Sequence, residues 1–432
     1  MKKKIQFLAI ALVLSGFIVQ AQNPKAKSGT FALTHASIET VTKGIVMNGT
    51  VLIEKGKITA VGTNVTVPSD ATVIDCTGKW IYPGMIDGGT RVGLLEIGQI
   101  PQATDEDETG QVIPQMKALT AVNPNSVLIP VTRISGVTTV ITAPGGGMFP
   151  GTAALINLHG YVPDQMYAGF EGVVMNFPNQ SKKGYYDRRT DEEIKKDVEK
   201  ATKQMNDIWD RAVEYYKLDS ATKGKGLAYY PEMTAFLPVV RGEQNLMIEV
   251  NAANDIKAAL KWVADRKIKK VIFTGVAEGW RMADEIAKAK IPVVVGPTLE
   301  EPTRDYDRYD KPYANAGLMK KAGVKVALRT SQAENVRNLP YYAGFAAAYG
   351  LGREEALKSV TIVPAEIFGV ADKFGSIEVG KVANIFICDG DPFETKTNIH
   401  QVFIEGWQMP MVSRQTQLYD EFLKRDPGLN KN

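Results

Sequence analysis

Residues 245–275, NLMIEVNAANDIKAALKWVADRKIKKVIFTG, contain two short apolar runs separated by a longer amphipathic segment. The runs NLMIEV and KKVIFTG are nearly continuous in apolar residues, which is typical of strands that are buried on both faces of a parallel sheet. The segment AANDIKAALKWVADRK between them has apolar residues at helical spacing. The stretch therefore predicts a strand–helix–strand unit.

Similar apolar runs recur through the middle of the chain, at 136–143 (GVTTVITA), 291–296 (IPVVVG) and 324–328 (VKVAL). Amphipathic segments such as EGWRMADEIAKAK (278–290) lie between some of them. Strands that alternate with helices predict an α/β fold with a parallel sheet, because two parallel strands need a long crossover connection.

The two ends of the chain have a different pattern. Residues 31–81 consist of short β-like segments joined by tight turns, as in NGTVLIEKGKITAVG. The same pattern returns at 374–392 (FGSIEVGKVANIFICDGDP) and 400–409 (HQVFIEGWQM). We therefore predict a small β domain to which both ends of the chain contribute.

The N-terminus has the features of a targeting segment. It begins with MKKK, continues with an apolar run over 5–19, and reaches the small-residue sequence Val19-Gln20-Ala21. This pattern predicts a signal peptide at 1–21 and export, most simply into a bacterial periplasm, with no membrane span left after cleavage. Cleavage removes three lysines, which leaves 51 − 3 = 48 basic and 48 acidic side chains. This balance gives no reason to expect nucleic acid as a partner.

Residues that bind zinc or form disulfides are scarce. His35 and His400 lie in the β-like ends of the chain, and His159 follows a predicted strand alone. No two of them share the i, i+2 or i, i+4 spacing with which one strand or helix presents two ligands, so a histidine-based binuclear site cannot be assembled. The two cysteines, Cys76 and Cys388, favour two buried free thiols over a disulfide, although sequence leaves their pairing open.

Four stretches carry a resemblance to a known family: VTKGIVMNGTVLIEKGKITAVG (41–62), VIDCTGKWIYPGMIDGGT (73–90), RISGVTTVITAPGG (133–146), and the long stretch 336–394 that runs from VRNLPYYAGF to DGDPFE. The chain resembles the amidohydrolase superfamily, and within it the imidazolonepropionase-like branch. The resemblance implies an α/β fold with a (β/α)8 TIM-like barrel and a small β-sandwich built from both ends of the chain.

The resemblance also implies domain boundaries. The signal peptide at 1–21 is followed by the N-terminal part of the sandwich at 22–84 and the barrel at 85–368. The C-terminal part of the sandwich covers 369–412, and a polar tail covers 413–432.

Active members of this family bind zinc or another divalent metal at the C-terminal ends of the barrel strands and use it to activate water for hydrolysis of C–N bonds other than peptide bonds. In this chain, the positions that match the family's metal ligands are Gly89, Arg91, Glu249, Thr274 and Ser331. Glycine offers no ligand, a protonated arginine repels a cation, and serine and threonine lack the charge of aspartate. We therefore assign no catalytic residue and expect no resident metal or other cofactor.

Two hypotheses follow. The first is a degenerate amidohydrolase whose barrel binds a small-molecule ligand, forms a homodimer, or pairs with an active relative. The second is an active hydrolase of cyclic amides or dipeptides, in which Glu96, Glu249 and Glu278 rebuild a site for a hard metal such as magnesium or calcium. The sequence leaves enzyme activity open, and it favours the first hypothesis because no strong Lewis acid and no base are visible.

The replacements also suggest a specific contact. We predict that Arg91 pairs with Glu249, with Arg329 nearby, either as a structural ion pair or to present a guanidinium to an anionic ligand.

Two loops are expected near this pair. The acidic stretch TDEDETG (104–110) would overhang the barrel mouth, and the glycine-rich stretch APGGGMFPG (143–151) is either a structural loop or one that approaches a ligand through its backbone amides.

Overall fold

The structure is a computed structural model that describes residues 25–98, 100, 104–180 and 188–425. The predicted signal peptide at 1–21 lies outside the described residues. Within the described part of the chain, no helix combines the length and the apolar character that a bilayer crossing requires.

Strands lie in the β-like regions near both ends of the chain and in its middle region, where they form the barrel. In chain order they are β1 (Phe31–Glu39), β2 (Ile45–Glu54), β3 (Lys57–Gly62), β4 (Thr72–Asp75), β5 (Trp80–Pro83), β6 (Met85–Thr90), β7 (Val137–Thr142), β8 (Gly151–Asn157), β9 (Tyr167–Asn176), β10 (Asn245–Val250), β11 (Val271–Gly275), β12 (Val293–Val295), β13 (Val326–Leu328), β14 (Ile385–Cys388), β15 (Ile399–Ile404) and β16 (Trp407–Gln408).

The α-helices lie mainly between the strands of the middle region. They are α1 (Ala118–Ala121), α2 (Leu128–Arg133), α3 (Pro163–Met166), α4 (Asp191–Thr222), α5 (Pro231–Arg241), α6 (Ala253–Asp265), α7 (Ala283–Ala289), α8 (Lys311–Lys321), α9 (Leu339–Ala346), α10 (Arg353–Ser359), α11 (Ile362–Ile367) and α12 (Arg414–Lys424). Helix α12 lies in the polar tail.

The strands form two eight-stranded sheets. One contains β1 to β5 together with β14 to β16, and its central strand β5 pairs with both β1 and β14. The other contains β6 to β13 in chain order and makes the nearly closed barrel. The predicted barrel with a β domain from both ends of the chain is therefore confirmed. Cys76 and Cys388 are buried in the β domain as free thiols.

One barrel strand departs from a regular (β/α)8 pattern. Strand β8 runs antiparallel to both β7 and β9, whereas the other neighbouring strands of the barrel are parallel. Strands β7 and β8 are joined directly by the glycine-rich loop, which is too short for the helical crossover that parallel neighbours require. The predicted uniform alternation of strand and helix is thus interrupted by a hairpin.

Asp87 closes the seam between the first and last barrel strands. The backbone N–H and the hydroxyl of Thr330 both donate to the Asp87 carboxylate, at 3.2 and 2.5 Å, and the N–H of Gly89 donates at 3.0 Å. Nearby, the N–H of Ser331 donates to the carbonyl of Gly89 at 2.9 Å. These contacts connect β6 to the segment after β13. Without them, β6 and β13 would be the two free edges of the barrel sheet.

The inside of the barrel is filled by a layer of apolar side chains. Most strands contribute one residue to this layer, which is fully or almost fully buried. Barrels of this type have a packed interior and keep their ligand sites above it, at the C-terminal ends of the strands. The members of the layer that come from the strands are Ile86, Ile141, Ala153, Leu155, Val174, Met247, Ile272, Val294 and Ala327.

Candidate functional site

A cavity of about 700 Å³ lies at the C-terminal ends of the barrel strands, and we call it the first cavity. This is the end at which barrels of this type keep their ligand sites. Residues in the last positions of β10, β11 and β12, or just after β6 and β10 to β13, form its floor, and the segment from Glu300 to Asp307 and the start of α8 form a wall. The first cavity includes four of the predicted positions, Arg91, Glu249, Arg329 and Ser331.

An ion pair between Glu249 and Arg329 occupies the floor of the first cavity. The two terminal nitrogens of Arg329 donate to the two carboxylate oxygens of Glu249, each at 2.7 Å. The hydroxyl of Thr274 donates to Oε2 of Glu249 at 2.7 Å, and the side-chain amide of Asn251 donates to Oε1 at 3.1 Å. Both carboxylate oxygens are therefore saturated by protein donors.

Strand alternation explains why these side chains meet. Side chains on a strand point to the same face at every second residue. Glu249, Thr274 and Arg329 each follow by two positions a member of the apolar layer inside the barrel. All three therefore point inward, one level above that layer.

The ion pair sets the charge state of Glu249. Burial raises the pKa of this carboxyl, but the Arg329 charge and the hydrogen bonds from Arg329, Thr274 and Asn251 outweigh burial, so that the net pKa is lowered. The side chain of Arg329 is 14 % exposed and that of Glu249 is 27 % exposed. Glu249 is thus a largely buried carboxylate that stays ionised because a guanidinium is fixed beside it.

Arg329 also takes the space that a side chain at position 89 would need. A Cβ atom added to Gly89 would lie 3.1 Å from Cδ of Arg329. A side chain at position 89 would therefore require Arg329 to move by a few tenths of an ångström. Ser331 lies in the same wall with a φ of 70°, and its hydroxyl oxygen is buried without a hydrogen-bond partner among the described residues.

The predicted pair between Arg91 and Glu249 is wrong. Arg91 forms its ion pair with Glu106, with Nη1 at 2.6 Å from Oε1, and the Arg91 side chain is 40 % exposed. Arg91 follows the last residue of β6, where the chain leaves the barrel, and its guanidinium lies against Gly145. The nearer acidic loop supplies its partner, whereas Arg329 takes the position beside Glu249.

The acidic loop and the glycine-rich loop pack on each other. The N–H of Gly145 donates to the carbonyl of Glu106 at 2.7 Å. Gly146 has a φ of 93°, and a Cβ atom there would lie 1.9 Å from Oδ1 of Asp107. The positive φ favours glycine at this position, and at Gly147 a Cβ atom would lie 2.5 Å from the backbone oxygen of Gly110 in the acidic loop. The structural interpretation of the glycine-rich loop is thus the one that these contacts support.

The remaining predicted positions lie apart from one another. Glu96 accepts a hydrogen bond from the side chain of Asn123 at 3.4 Å and does not line the first cavity. Glu278 is fully buried and accepts hydrogen bonds from Arg304, from the hydroxyl of Thr303 at 2.9 Å, and from the N–H of Ala253 at 2.8 Å. Whether Glu96, Glu249 and Glu278 converge was left open by the sequence, and among the described residues they do not form a group that could hold a metal ion.

The donor set at the family's ligand positions does not fit a divalent metal. Glu249 supplies the only carboxylate among these positions, and Arg329 already binds both of its oxygens. Gly89 supplies no ligand atom, and Arg91 supplies a positive charge. Across the described ranges, no group of three His, Cys, Asp or Glu side chains is arranged to hold a metal ion.

Several residues near the site were missed by sequence reasoning. Asn251 and Thr303 line the first cavity, and Asn251 binds Glu249. Asp87 and Asp255 are buried carboxylates. The signal for Asp87 was available, because a lone aspartate in the apolar strand MIDGGT needs buried hydrogen-bond partners.

Comparisons with known proteins agree with this architecture. The amidohydrolase family model matches residues 132–409, which is more than half of the chain. An amidohydrolase of Thermotoga maritima with a solved structure is 26 % identical, with a TM-score of 0.76, and the match covers 88 % of this chain and 99 % of that one.

Two curated relatives are similar over part of their length. Amidohydrolase tasK of Hapsidospora irregularis is 22 % identical over 398 residues, which is 83 % of this chain and 39 % of that protein. An imidazolonepropionase of Vibrio cholerae is 29 % identical over 136 residues, which is 27 % of this chain and 34 % of that protein. The chain thus spans well under half the length of either relative that it matches. From the family match, the barrel and the β domain, we conclude that this chain belongs to the amidohydrolase family.

Proposed function

We propose that this chain is a degenerate amidohydrolase that binds a small polar ligand in the first cavity and does not hydrolyse it with a metal. The family's reaction needs a metal-activated water and a base at the strand ends. In this chain, the positions that would supply both are Gly89, Arg91, Glu249, Thr274 and Ser331. The ligand would meet a cavity with fixed charges of both signs at its floor.

The observation that carries the proposal is the bidentate pair between Arg329 and Glu249. A metal at this position would have to displace a guanidinium from the only carboxylate that the ligand positions offer. Separating a largely buried ion pair is costly, and the released Arg329 charge would then repel the metal. Ligand binding without metal requires no such rearrangement.

The alternative proposal, an active hydrolase of cyclic amides or dipeptides, is weakened by the separation of its three glutamates. Glu278 is committed to Arg304, and Glu96 lies outside the first cavity. A hard metal such as calcium needs six or more oxygen ligands that converge on one point. No observation in the described part of the chain favours this alternative.

An activity screen tests the proposal. Mature protein would be incubated with cyclic amides and dipeptides, with and without added zinc, and products would be measured by mass spectrometry. We expect no hydrolysis above background in either condition. Hydrolysis that increases with zinc and is abolished by a chelator would overturn the proposal.

We further propose that the protein is exported and acts as a homodimer or as the partner of an active relative. Export is supported by the N-terminal pattern of the sequence, and association is supported by analogy alone. N-terminal sequencing of protein from the periplasmic fraction should find a start at Gln22. Sedimentation of the pure protein should give twice the monomer mass, and a monomer without a co-purifying relative would contradict the association.

A further inference from the structure

A second cavity of about 680 Å³ lies beside the first. Its wall shares Glu249, Asn251 and Thr303 with the first cavity. The rest of its lining comes from the segment after β9, the start of α6, and Glu278 with Arg304. The lining is rich in side-chain amides and carboxylates and contains one aromatic ring, that of Phe177.

Asp255 is a buried carboxylate that lines the second cavity. It is only 3 % exposed, and it lies in the first turn of α6. One carboxylate oxygen accepts the backbone N–H of Gln180 at 3.1 Å. In the described part of the chain, no lysine, arginine or histidine lies within ion-pair distance of Asp255.

The other two carboxylates of the second cavity are neutralised. Glu249 is held by Arg329, and Glu278 is held by Arg304, in each case through both carboxylate oxygens. Asp255 is therefore the one uncompensated acidic group that this cavity's described lining contains. The pKa of Asp255 is raised to about 6, because burial and the neighbouring Glu278 charge together outweigh the Gln180 hydrogen bond, which lowers it. A cation supplied by a ligand would stabilise the charged form of this buried carboxylate, which none of the described residues that line the cavity does.

We propose that the second cavity binds a ligand with a primary ammonium group, which pairs with Asp255 and hydrogen-bonds to the surrounding amides. An ammonium carries three N–H donors, which match the carboxylate of Asp255 and the carbonyl oxygens of side chains such as Asn254. Its alkyl chain would lie against Phe177. This inference rests on Asp255 and its cavity, and it holds whether or not the first cavity binds a metal.

Calorimetric titration with n-butylamine tests the inference, with n-butanol as the uncharged probe of the same shape. The protein would be the mature chain at mildly alkaline pH and constant ionic strength, where Asp255 and the amine are both ionised. We expect the amine to bind at least about tenfold more tightly than the alcohol, since hydrogen bonds to charged groups are the strong ones. Equal binding of the two probes would overturn the inference.

Two variants identify the carboxylate. Asp255→Asn keeps an oxygen acceptor for Gln180 and should remove the preference for the amine. Asp265→Asn makes the same change at an exposed position on the same helix and should leave the preference intact. If Asp255→Asn does not fold, Asn254→Lys supplies an ammonium at the exposed edge of the cavity and should compete with the probe. An amine preference that survives the Asp255 or Asn254 variant would contradict the assignment.

Discussion

Glu249 and Asp87 are both carboxylates inside one barrel, yet their surroundings shift their pKa values in opposite directions. Glu249 lies at the mouth beside the guanidinium of Arg329, and its pKa is lowered. Asp87 lies in the seam, where burial raises its pKa to about 6, and hydrogen bonds from Thr330 and Gly89, with a smaller effect of the Arg329 charge, only partly oppose the rise. The difference shows that neutral donors hold a buried carboxylate in place, whereas a cation paired directly with it also keeps it charged.

The largest expected effect comes from removing the cation beside Glu249. Arg329→Met leaves a largely buried carboxylate without a neutralising cation and should lower the free energy of unfolding by about 3 to 5 kcal/mol, as measured by urea denaturation. The double variant Arg329→Met with Glu249→Leu removes both charges and should recover most of this loss. A double variant as unstable as the single one would show that packing, and not charge, makes Arg329 important.

The second prediction concerns the pH dependence of stability. The pKa of folded Asp87 is about 6 against an ordinary value of 3.8, so its stabilising contribution is fully present below about 3.8 and is lost as the pH rises to about 6. Within this window, the free energy of unfolding of the wild type should fall relative to Asp87→Asn by up to about 1.4 kcal/mol per pH unit.

The pKa of Glu249 is lowered, so its contribution has the opposite sign. It is present above the ordinary value of 4.5 and is lost as the pH falls through the folded pKa. In acid, the wild type should therefore lose stability relative to Glu249→Gln as the pH falls. Urea titrations of the wild type and both variants across acidic pH measure the two slopes, and slopes of the same sign would contradict the comparison.

A smaller effect is expected at Thr274. Its hydroxyl donates to the charged Glu249 at 2.7 Å, so Thr274→Val, which keeps the shape and removes the donor, should cost about 1 to 2 kcal/mol in urea denaturation. Thr274→Ser keeps the hydroxyl and serves as the matched control. If the valine variant is as stable as the serine variant, the hydrogen bond contributes nothing measurable.

The smallest effect is expected at Arg91. Its side chain is 40 % exposed, so solvent screens its pair with Glu106 from the arginine side, although the side chain of Glu106 is only 13 % exposed. Arg91→Met should therefore change the free energy of unfolding by less than about 1 kcal/mol. If Arg91→Met lowers the free energy of unfolding as much as Arg329→Met does, the two arginines contribute equally. The expected difference between the buried pair at the barrel mouth and the loop pair would then be contradicted.

Much of the fold could be predicted because its signals are local. The apolar runs of β10 and β11 with the amphipathic α6 between them predict a βα unit from one stretch of sequence. The antiparallel β8 was missed, because an apolar run such as TAALIN does not show the direction in which a buried strand is paired.

The site was predictable only in part, because its contacts are distant in sequence. Alternation along the strands places Glu249 and Arg329 on the inner face, but the choice of Arg329 over Arg91 depends on how the loop with Glu106 folds back. Asp87 and Thr330 are 243 residues apart, and no local pattern connects them. Periodicity indicates which face a side chain occupies, whereas its partner depends on the closed barrel.

Metal analysis is the most direct test of the central claim that an ion pair stands where the family binds metal. Mature protein would be purified without chelators, supplied with zinc, and passed through a desalting column before inductively coupled plasma mass spectrometry. We predict far less than one metal ion per wild-type chain. One or more tightly bound metal ions per wild-type chain would contradict the account.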